Sequence, residues 1–440
     1  MSELLSWGRY PRFPQQPTTP AWREGVDDSL AALRQRHGHT LAFGNGRSYG
    51  DSCLAASHHV VHMRELDRFI HVDWANGRIR AEAGVTIGEL IAVALPRGWF
   101  PPVTPGTQFA TLGGAVANDV HGKNHHVRGT LGRHVRALGI HRSEDGYREL
   151  RPTDSAPELF QATIGGLGLT GIIVWVELQL QRVTSPAIKA KTYRFRTLEE
   201  FLTLSEEYDP AHEYSVAWVD CLAPRRSRGR GLLTVGDHSA TGASIIGSTP
   251  RSRMTVPMDA PAWLLNAWSV RAFNALTYHR PRRLARAVDV PWHSFFYPLD
   301  RLRDWNRLYG RRGFQQFQCV VPTEAAAHVL AEALARIHRS STGSMLAVLK
   351  RCGDQPSPGL LSFPLPGISL ALDFPQRGKT TNVLLSELDA IVHDAGGRLY
   401  PAKDAHMSPR DFRKAYPEWS RVESQRDPAL LSQFWRRVIS

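Results

Sequence analysis

Three short glycine-rich segments near the N-terminus constrain the fold of this chain more than any other feature. They read GNGRSYGD at residues 44–51, TLGGAVAN at residues 111–118 and GGLGLTG at residues 165–171. Glycine allows successive backbone N–H groups to converge on one anion, although any tight turn also uses glycine. One such loop is a weak signal, but three in the same region favour one large ligand that is contacted from several sides.

The first two segments each leave an alternative open. Residues 44–50 follow a predicted strand but lead into polar Asp51 and Ser52, so they do not form the dinucleotide-binding pattern that opens a helix. Residues 115–120 are predicted to start a helix whose N–H groups face a phosphate. The small residues of that helix are also typical of close packing against a neighbouring element.

A run of polar residues, HGKNHH at residues 121–126, follows the second glycine segment. So many polar groups in a row line a cleft, bind a metal or meet a charged ligand. The spacing of His121, His125 and His126 is compatible with metal ligands on a helix, but Gly122 interrupts the run and no further ligand is evident. We therefore predict no metal, and we expect His125 and His126 to hydrogen-bond neighbouring loops.

The composition is that of a soluble globular protein with more than one domain. The chain has 440 residues, of which 42% are hydrophobic and 22% are charged, and it lacks the apolar run of about 18 residues that a membrane span needs. Its first residues lack the charged start and apolar middle of a signal peptide, which predicts a cytoplasmic location. The four cysteines, Cys53, Cys221, Cys319 and Cys352, show no paired spacing, which excludes a zinc knuckle or a disulfide framework and suits a reducing compartment.

The formal net charge of +13 indicates an anionic partner, such as a nucleotide, a phospholipid surface or a nucleic acid. No recognition motif accompanies the charge, so we expect no nucleic-acid partner. The densest basic patch, residues 225–230, lies in a Gly-, Ser- and Pro-rich stretch at about 224–261. We expect that stretch to be a mobile loop over a site; plain disorder is the alternative.

Hydrophobic periodicity predicts an α+β fold. Strands are expected at residues 40–43, 59–63, 78–83 and 172–180, and Thr86 with Glu89 three residues later predicts a capped helix. After Val183, strands at residues 314–321 and 368–374 and helices at residues 324–338 and 381–395 predict a second domain built on an antiparallel sheet.

The glycine segments resemble the FAD-binding half of the vanillyl-alcohol-oxidase superfamily, a PCMH-type domain of two subdomains. The histidine run and residues 400–404, YPAKD, are similar to the decaprenylphosphoryl-β-D-ribose 2'-oxidase family. The resemblance continues through residues 296–300, 313–318, 373–375 and 427–428. It implies an FAD-binding domain at residues 1–183, an antiparallel-sheet substrate or cap domain at 184–395, and a C-terminal segment, 396–440, that packs back on the FAD domain.

The resemblance also implies which residues contact the flavin. The first loop contains no histidine to which a flavin could be tethered, so FAD is expected to bind non-covalently. The implied cofactor contacts are Gly44, Asn45, Gly46, Arg47, Ser48, Tyr49, Gly50, Thr107, Gly113, Gly114, Asn118, His121, Gly122, Lys123, Asn124, Ile172 and Tyr400.

Residues that face the substrate and the flavin ring are implied in the same way. The catalytic candidates are Tyr49, His121, Gln316, Gln318, Lys350 and Lys403. Gln316 and Gln318 share one face if they lie on a strand, which suits a polyol but also an exposed sheet. Lys350, a point charge on a flexible stem, is the better candidate for a phosphate or sugar oxygen. Without the resemblance, Lys403 would be an ordinary surface lysine.

The function that the resemblance implies is FAD-dependent oxidation of the 2'-hydroxyl of a phosphorylated, polyprenyl-linked ribose to a 2'-keto sugar. This reaction is the first half of a ribose-to-arabinose epimerisation, which a separate NAD(P)-dependent short-chain reductase completes. The basic surface suits a peripheral contact with the inner face of a membrane. The alternative is a soluble alditol or sugar-lactone oxidase of the same superfamily that uses O2; the histidine run argues against it.

Overall fold

The structure is a computed structural model and describes residues 3–240, 254–261, 263–281 and 284–440. Within those residues the chain forms a five-stranded sheet, an eight-stranded sheet, three smaller sheets and helices. This mixed architecture confirms the predicted α+β class. Among the same residues we find no helix with the length and apolar character needed to span a bilayer.

The N-terminal half contains a parallel sheet and an antiparallel sheet. Its strands are β1 (Gln16–Thr18), β2 (Ala42–Phe43), β3 (His59–His62), β4 (Phe69–Asp73), β5 (Arg78–Glu82), β6 (Trp99–Phe100), β7 (Val135–Arg142), β8 (Gly146–Leu150), β9 (Ile172–Gln179) and β10 (Gln181–Arg182). The parallel sheet has the order β1-β3-β2, the antiparallel sheet has the order β4-β5-β9-β7-β8, and β6 pairs with β10. Two sheets in this half agree with the predicted two-subdomain FAD-binding fold.

Short helices connect these strands. They are α1 (Gly25–His37), α2 (Ile87–Ala94), α3 (Leu112–Ala117), α4 (His125–Arg128) and α5 (Glu158–Thr163). The predicted capped helix is confirmed in α2, where Thr86 Oγ1 accepts from Glu89 N and the Glu89 carboxylate accepts from Thr86 N at 2.8 Å. This reciprocal capping satisfies two backbone donors that the first turn leaves open.

The second half is built on an antiparallel sheet, which we call the cap sheet. Its strands and the short strands beside it are β11 (Ala187–Phe195), β12 (Tyr214–Val219), β13 (Gly231–His238), β14 (Met254–Thr255), β15 (Val288–Pro291), β16 (Leu302–Arg303), β17 (Phe314–Pro322), β18 (Ala347–Cys352), β19 (Gly367–Pro375) and β20 (Arg398–Leu399). The cap sheet has the order β15-β11-β13-β12-β18-β19-β17-β20, and β14 pairs with β16 alone.

Helices cover one face of the cap sheet and leave the other for a site. The helices of this half are α6 (Leu198–Tyr208), α7 (Ala267–His279), α8 (Trp292–Phe296), α9 (Thr323–Ser340) and α10 (Lys379–Asp394). Leu330 of α9 and Leu388 of α10 join Phe317, Leu349 and Leu372 of the sheet in the largest apolar core. Because side chains alternate along a strand, the residues between these core positions point to the opposite face.

The expectation of a loop at about 224–261 is wrong at residues 231–238. Gly231–His238 form β13, which lies between β11 and β12 in the cap sheet and buries Leu233 and Val235. Pairing with a strand on each side satisfies the backbone hydrogen-bonding groups of β13. This stabilisation outweighs the low strand propensity of the Gly- and Arg-rich sequence. Residues 241–253 of the expected loop lie outside the described residues.

The C-terminal segment contacts the N-terminal half. It carries α11 (Pro409–Ala415), α12 (Trp419–Ser424) and α13 (Gln433–Ile439). Leu430 bridges to Thr40, and the Asp427 carboxylate accepts from the backbone and hydroxyl of Ser143 at 2.6 Å each. The same segment also contributes β20 to the edge of the cap sheet.

A buried ion cluster fixes this segment. Arg437 of α13 donates to Asp51 at 2.9 Å and to Asp404 at 2.9 Å. Burial alone would raise the pKa of Asp404, but the charges of Arg437 and His406 outweigh it and lower that pKa. Burial raises the pKa of Asp51 and the charge of Arg437 opposes that rise, so Arg437 favours the ionised form of both carboxylates.

We expect Arg437→Ala to lower the free energy of unfolding by about 3 kcal/mol, because it leaves two buried carboxylates without their partner. Urea unfolding followed by circular dichroism measures the change. The matched control is Arg436→Ala on the exposed side of the same helix, which should change stability by less than about 0.5 kcal/mol. Equal effects of the two substitutions would contradict the role given to the cluster.

Candidate functional site

A cavity of about 810 Å³ lies between the N-terminal half and the open face of the cap sheet. This volume is in the upper part of the range for cofactor and ligand sites. It gathers most of the residues that the sequence singled out: Gly44, Asn45, Gly46, Arg47, Ser48, Tyr49, Thr107, Gly113, Gly114, Asn118, His121, Gly122, Lys123, Gln316, Gln318, Lys350, Tyr400 and Lys403.

Three other sequence candidates do not line the cavity. A side chain at Gly50 would collide with the carbonyl oxygen of Asp404, so this glycine allows close packing of the C-terminal segment. Asn124 is buried and donates to Pro102 O at 2.8 Å, which makes it a loop-fixing residue. Ile172 packs in a core with Val26, and its neighbour Ile173 reaches the cavity instead.

The first glycine loop has the geometry of an anion nest. Gly46 has φ +59°, and the backbone N–H groups of Gly46, Arg47 and Ser48 donate to no acceptor in the described part of the chain. Adjacent N–H groups that are free to converge form a concave site for a phosphate oxygen. The loop therefore has the backbone donors that a phosphate oxygen needs.

The helix α3, which lies within the second glycine segment, differs from the prediction. It starts at Leu112 rather than near Ala115, and its first N–H groups are already used. Leu112 N donates to Val85 O, Gly113 N to Ala83 O and Gly114 N to Thr111 Oγ1. The expectation that this helix N-terminus faces a phosphate is wrong, because the turn after β5 and the N-cap residue Thr111 satisfy the donors.

Close packing is the alternative explanation for the small residues of this segment, and it applies to Gly113. A Cβ there would lie 2.8 Å from Ala83 Cβ, which leaves no room for a side chain. Gly114 has only the Thr111 hydroxyl near its Cβ position, at 3.0 Å, and it lines the cavity. In the third segment, Gly168 with φ +75° and Gly171 also reach the cavity wall.

Three buried polar atoms of the lining on this side have no described partner. They are Arg47 Nε, Ser52 Oγ and Asn118 Oδ1. The Arg47 guanidinium lies 4.1 Å from the Trp7 ring centroid, while Asn118 donates to Gly114 O at 2.8 Å. Buried polar atoms are normally satisfied, so open atoms beside an anion nest fit a large polar cofactor.

Positive charge dominates the lining. Its described Lys and Arg residues are Arg47, Lys123, Arg303, Lys350 and Lys403, and its described acidic residues are Asp300 and Asp304. Asp300 is already engaged, because it accepts from Thr107 Oγ1 at 2.9 Å and from Gln108 N at 2.8 Å. Excess cationic charge in a partly enclosed site favours anionic ligands.

A polar cluster forms where β17, β18 and β19 face the cavity. Gln316 lies opposite Asp373 and Gln318 opposite Ala371 in the register of β17 and β19, and Lys350 lies opposite Ser369. The prediction that the two glutamines share a face is confirmed, and that face is enclosed rather than exposed: both side chains are 6% exposed.

His121 links this cluster to the histidine run. Its Nε2 is 3.0 Å from Gln318 Nε2, and its Nδ1 is 3.4 Å from Lys350 Nζ. Burial lowers the pKa of His121 well below its usual value, and the charges of Lys350, His125 and Lys403 lower it further. A neutral imidazole with one N–H and one lone pair therefore faces the cavity.

The other histidines of the run make separate contacts. His125 Nδ1 accepts from Gly353 N at 3.2 Å, and His126 Nε2 is 2.9 Å from His212 O. These are the neighbouring-loop contacts expected from the sequence. Within the described ranges no group of three or more His, Cys, Asp and Glu side chains could hold a metal ion.

Lys403 lies against Tyr49 and close to a carboxyl group that the sequence analysis missed. Its Nζ is 3.7 Å from the Tyr49 ring centroid. Burial lowers the pKa of Lys403 to about 7, although the Asp373 charge raises it. Burial raises the pKa of Asp373 to about 7. Asp373 Oδ1 accepts from Gln316 Nε2 at 2.5 Å, and Oδ2 has no described partner.

The period-two alternation of β19 is the signal that identifies Asp373. Leu370, Leu372 and Phe374 enter the apolar core, so Asp373 must point toward the site. The same alternation brings an apolar group to the cavity farther along the sheet: Val216, Trp218, Leu232, Val348 and Ala371. The lining is therefore polar near β17 and apolar toward β13.

Tyr400 and Lys123 close the site at the histidine run. The Tyr400 hydroxyl donates to Asn118 O at 2.9 Å, and its ring stacks on Phe363 at 4.6 Å. Lys123 Nζ donates to Phe295 O. Burial lowers the pKa of Lys123 to about 7, with a further contribution from Lys350.

Glycine loops on one wall and a polar sheet face on the other define a flavin-dependent oxidoreductase, and comparison with known proteins supports this class. Residues 14–148 match a family model described as an FAD binding domain. FAD is the cofactor of this chain, which is an FAD-dependent oxidoreductase with a PCMH-type FAD-binding domain.

Similarity to one relative extends over almost the whole chain. It is 32% identical over 99% of its length to decaprenylphosphoryl-β-D-ribose oxidase of Mycolicibacterium smegmatis, and covers 97% of that protein. The chain belongs to the decaprenylphosphoryl-β-D-ribose oxidase family. It is also 33% identical, over 76% of its length, to an uncharacterised Streptomyces coelicolor protein, of which it covers 92%. A probable L-gulonolactone oxidase of Arabidopsis thaliana is 25% identical over 42% of this chain, which covers 30% of that relative.

We expect Gly114→Val to weaken FAD binding by about 10- to 100-fold, because the added methyl groups occupy part of the cavity. The Thr111 hydroxyl, 3.0 Å from the Cβ position, prevents the valine from moving away from the ligand. The measurement is the dissociation constant from flavin fluorescence, together with the yellow colour of the purified protein. Gly25→Ala is the control, since its Cβ would meet only Pro20 at 3.7 Å, far from the cavity. A folded Gly114→Val protein with unchanged affinity would refute the assignment.

Proposed function

We propose that this protein oxidises the 2'-hydroxyl of a polyprenyl-linked phosphoribose to the 2'-keto sugar, as the first half of a ribose-to-arabinose epimerisation. The observation that carries the proposal is the division of one cavity into a glycine-loop wall, a polar cluster and an apolar end. The family to which the chain belongs, and the substrate named for its mycobacterial relative, support the same reaction.

The polar cluster supplies the groups that a sugar phosphate needs. Bound FAD supplies the hydride acceptor for the carbon that carries the hydroxyl. Gln316 and Gln318 orient sugar hydroxyls, and neutral His121 offers a further donor or acceptor beside them. Lys350, whose pKa is lowered by burial to about 8, remains mostly protonated at pH 7 and holds a phosphate or sugar oxygen.

Lys403 is the residue that we assign to the hydroxyl proton. A lysine with a pKa of about 7 is partly neutral at physiological pH and can accept a proton. Asp373 is a positioning residue that faces Lys403 and hydrogen-bonds Gln316. The Tyr49 ring lies against the Lys403 ammonium group. The Tyr49 hydroxyl also hydrogen-bonds the Gln316 side chain, which in turn hydrogen-bonds Asp373.

The apolar end of the cavity fits the first units of a polyprenyl chain. Val216 and Trp218 on β12, Leu232 on β13 and Val348 on β18 form a continuous wall across neighbouring strands. A free alditol or sugar lactone has no apolar group for this wall to desolvate. We propose a non-covalent FAD, a separate NAD(P)-dependent short-chain reductase that consumes the keto product, and a peripheral position at the inner face of a membrane.

Anaerobic mixing of the FAD-loaded protein with a polyprenyl-phosphoribose, followed by the loss of flavin absorbance, tests the function. We expect rapid bleaching with this substrate and slow or no bleaching with free pentoses. The soluble-oxidase alternative predicts the reverse: bleaching by free alditols or sugar lactones, and steady hydrogen peroxide production from them in air.

Lys403→Met should reduce the rate of flavin bleaching by about 100-fold or more while the protein keeps its yellow colour, because it removes the proton acceptor but not the glycine loops. Stopped-flow absorbance under anaerobic conditions measures the rate. Lys379→Met, at an exposed lysine of α10, is the control and should bleach like the unmodified protein. Bleaching of Lys403→Met at the normal rate would show that another group takes the proton.

The bleaching rate should rise with pH through about 7, since deprotonated Lys403 is the active form. Asp373 raises the pKa of Lys403, so Asp373→Asn should move the inflection to lower pH. The pH–rate profile of the bleaching step measures both values. Asp394→Asn, at an exposed position on α10, should leave the inflection where it is. An inflection that Asp373→Asn does not move, or moves upward, would contradict the pairing.

A further inference from the structure

Large exposed apolar side chains are concentrated in one stretch of the chain. Eleven such side chains occur in the described part of the protein, and four of them, Trp22, Val127, Tyr147 and Val383, are scattered. The other seven are Met254, Met258, Trp263, Leu264, Trp268, Phe273 and Leu276. Single exposed apolar residues need no explanation, but a concentration of this kind marks an interaction surface.

Helix α7 presents an apolar stripe to solvent. Trp268, Ala272 and Leu276 follow one another at intervals of four residues and are all exposed, with Trp268 80% and Leu276 72% exposed. The opposite stripe, which is buried, contains Val270, Asn274 and Tyr278. A helix of 13 residues is about 20 Å long, so this stripe is a sizeable apolar surface.

Hydrogen bonds to the cap sheet and its adjoining loop hold α7 in one orientation, so the same stripe always faces solvent. Asn274 donates to Asp220 Oδ1 at 2.9 Å, and the Tyr278 hydroxyl donates to Phe195 O at 3.3 Å. At the start of α7, Asn266 Oδ1 accepts from Trp268 N and Ser269 N. An ordinary surface helix has an apolar inner face and a polar outer face, whereas α7 carries apolar residues on both.

The stretch that leads to α7 contacts the lining of the cavity at β14. Strand β14, which contains exposed Met254, pairs with Leu302 and Arg303 of β16, and both of these residues line the cavity. Val256 N donates to Arg303 O at 3.0 Å. A hydrophobic body that contacts Met254 therefore lies close to two lining residues of the site.

Basic residues accompany the apolar stripe. Arg271 lies on α7 and Arg280 directly follows it, with Arg280 exposed. The basic patch that the sequence analysis noted is close, because Arg228 and Arg271 both act on the pKa of His338. Aromatic and aliphatic residues beside arginines are typical of helices that lie in the interface of an anionic bilayer.

We propose that α7 and the segment leading to it dock the protein on an anionic phospholipid surface, with Trp268 and Leu276 inserted among the lipids. The charge of the surrounding arginines selects a phospholipid surface over a second copy of this basic chain. Docking of the segment that contains Met254 would bring β16, which lines the cavity, close to the surface where a polyprenyl-linked substrate is found. This purpose rests on the proposed function, but the contact with lipid does not require catalysis.

Vesicle flotation with the FAD-loaded protein and no sugar substrate tests the proposal. We expect binding to mixed phosphatidylcholine–phosphatidylglycerol vesicles, weaker binding to phosphatidylcholine alone, and loss of binding at high salt. The double substitution Trp268→Glu with Leu276→Glu should weaken binding by at least about tenfold, because it places two charges on the inserted stripe.

The matched control is Trp22→Glu with Val383→Glu, which adds the same charge at exposed apolar positions elsewhere. This control should bind vesicles like the unmodified protein. Absence of binding by the unmodified protein, equal losses in both double variants, or an α7 variant that binds normally would each overturn the proposal. An α7-dependent dimer in sedimentation velocity, without vesicle binding, would also overturn it. Because no substrate is present, failure of the proposed reaction would leave these results unchanged.

Discussion

Burial of positive charge around one cavity is the constraint on which the rest of the structure depends. Removal from water makes the ammonium form of a lysine unfavourable. It lowers the pKa of Lys123 and Lys403 to about 7 and that of Lys350 to about 8. The carboxylates of the described lining, Asp300 and Asp304, are too few to balance these groups. An anionic ligand relieves the imbalance, and the pyrophosphate of FAD provides one.

The cap sheet makes this burial possible because it separates two environments by a single layer of backbone. On one face, Phe317, Leu349 and Leu372 contact the helices and supply apolar stabilisation. On the other face, Gln316, Gln318 and Lys350 line the cavity. Since successive side chains of a strand alternate, the strands that carry the core also carry the chemistry. The apolar packing on the helix-covered face thus positions the polar side chains, which lie on the other face and do not interrupt that packing.

Much of this arrangement can be predicted from local sequence, and the misses have a common cause. The α2 capping box and the shared face of Gln316 and Gln318 depend on spacing within one element, and both predictions are confirmed. The helix N-terminus at Leu112 was misjudged because its donors are satisfied by Ala83 and Val85, which are remote in sequence. Strand β13 was missed for a similar reason: its neighbours β11 and β12, not its own composition, make it a strand.

Gly50 shows how a residue identified from sequence can act through a different physical route. It does not reach the cavity, but its lack of a side chain lets the backbone at Asp404 approach the first glycine loop. Tyr49 N donates to Ala402 O at 3.0 Å and Asp51 N to Asp404 O at 3.3 Å, so the loop and the C-terminal segment are joined on both sides of this glycine. Lys403 lies between those two acceptors and is thereby held over the Tyr49 ring. The close approach at Gly50, secured by Arg437, is what turns an otherwise peripheral lysine into a buried group of the site.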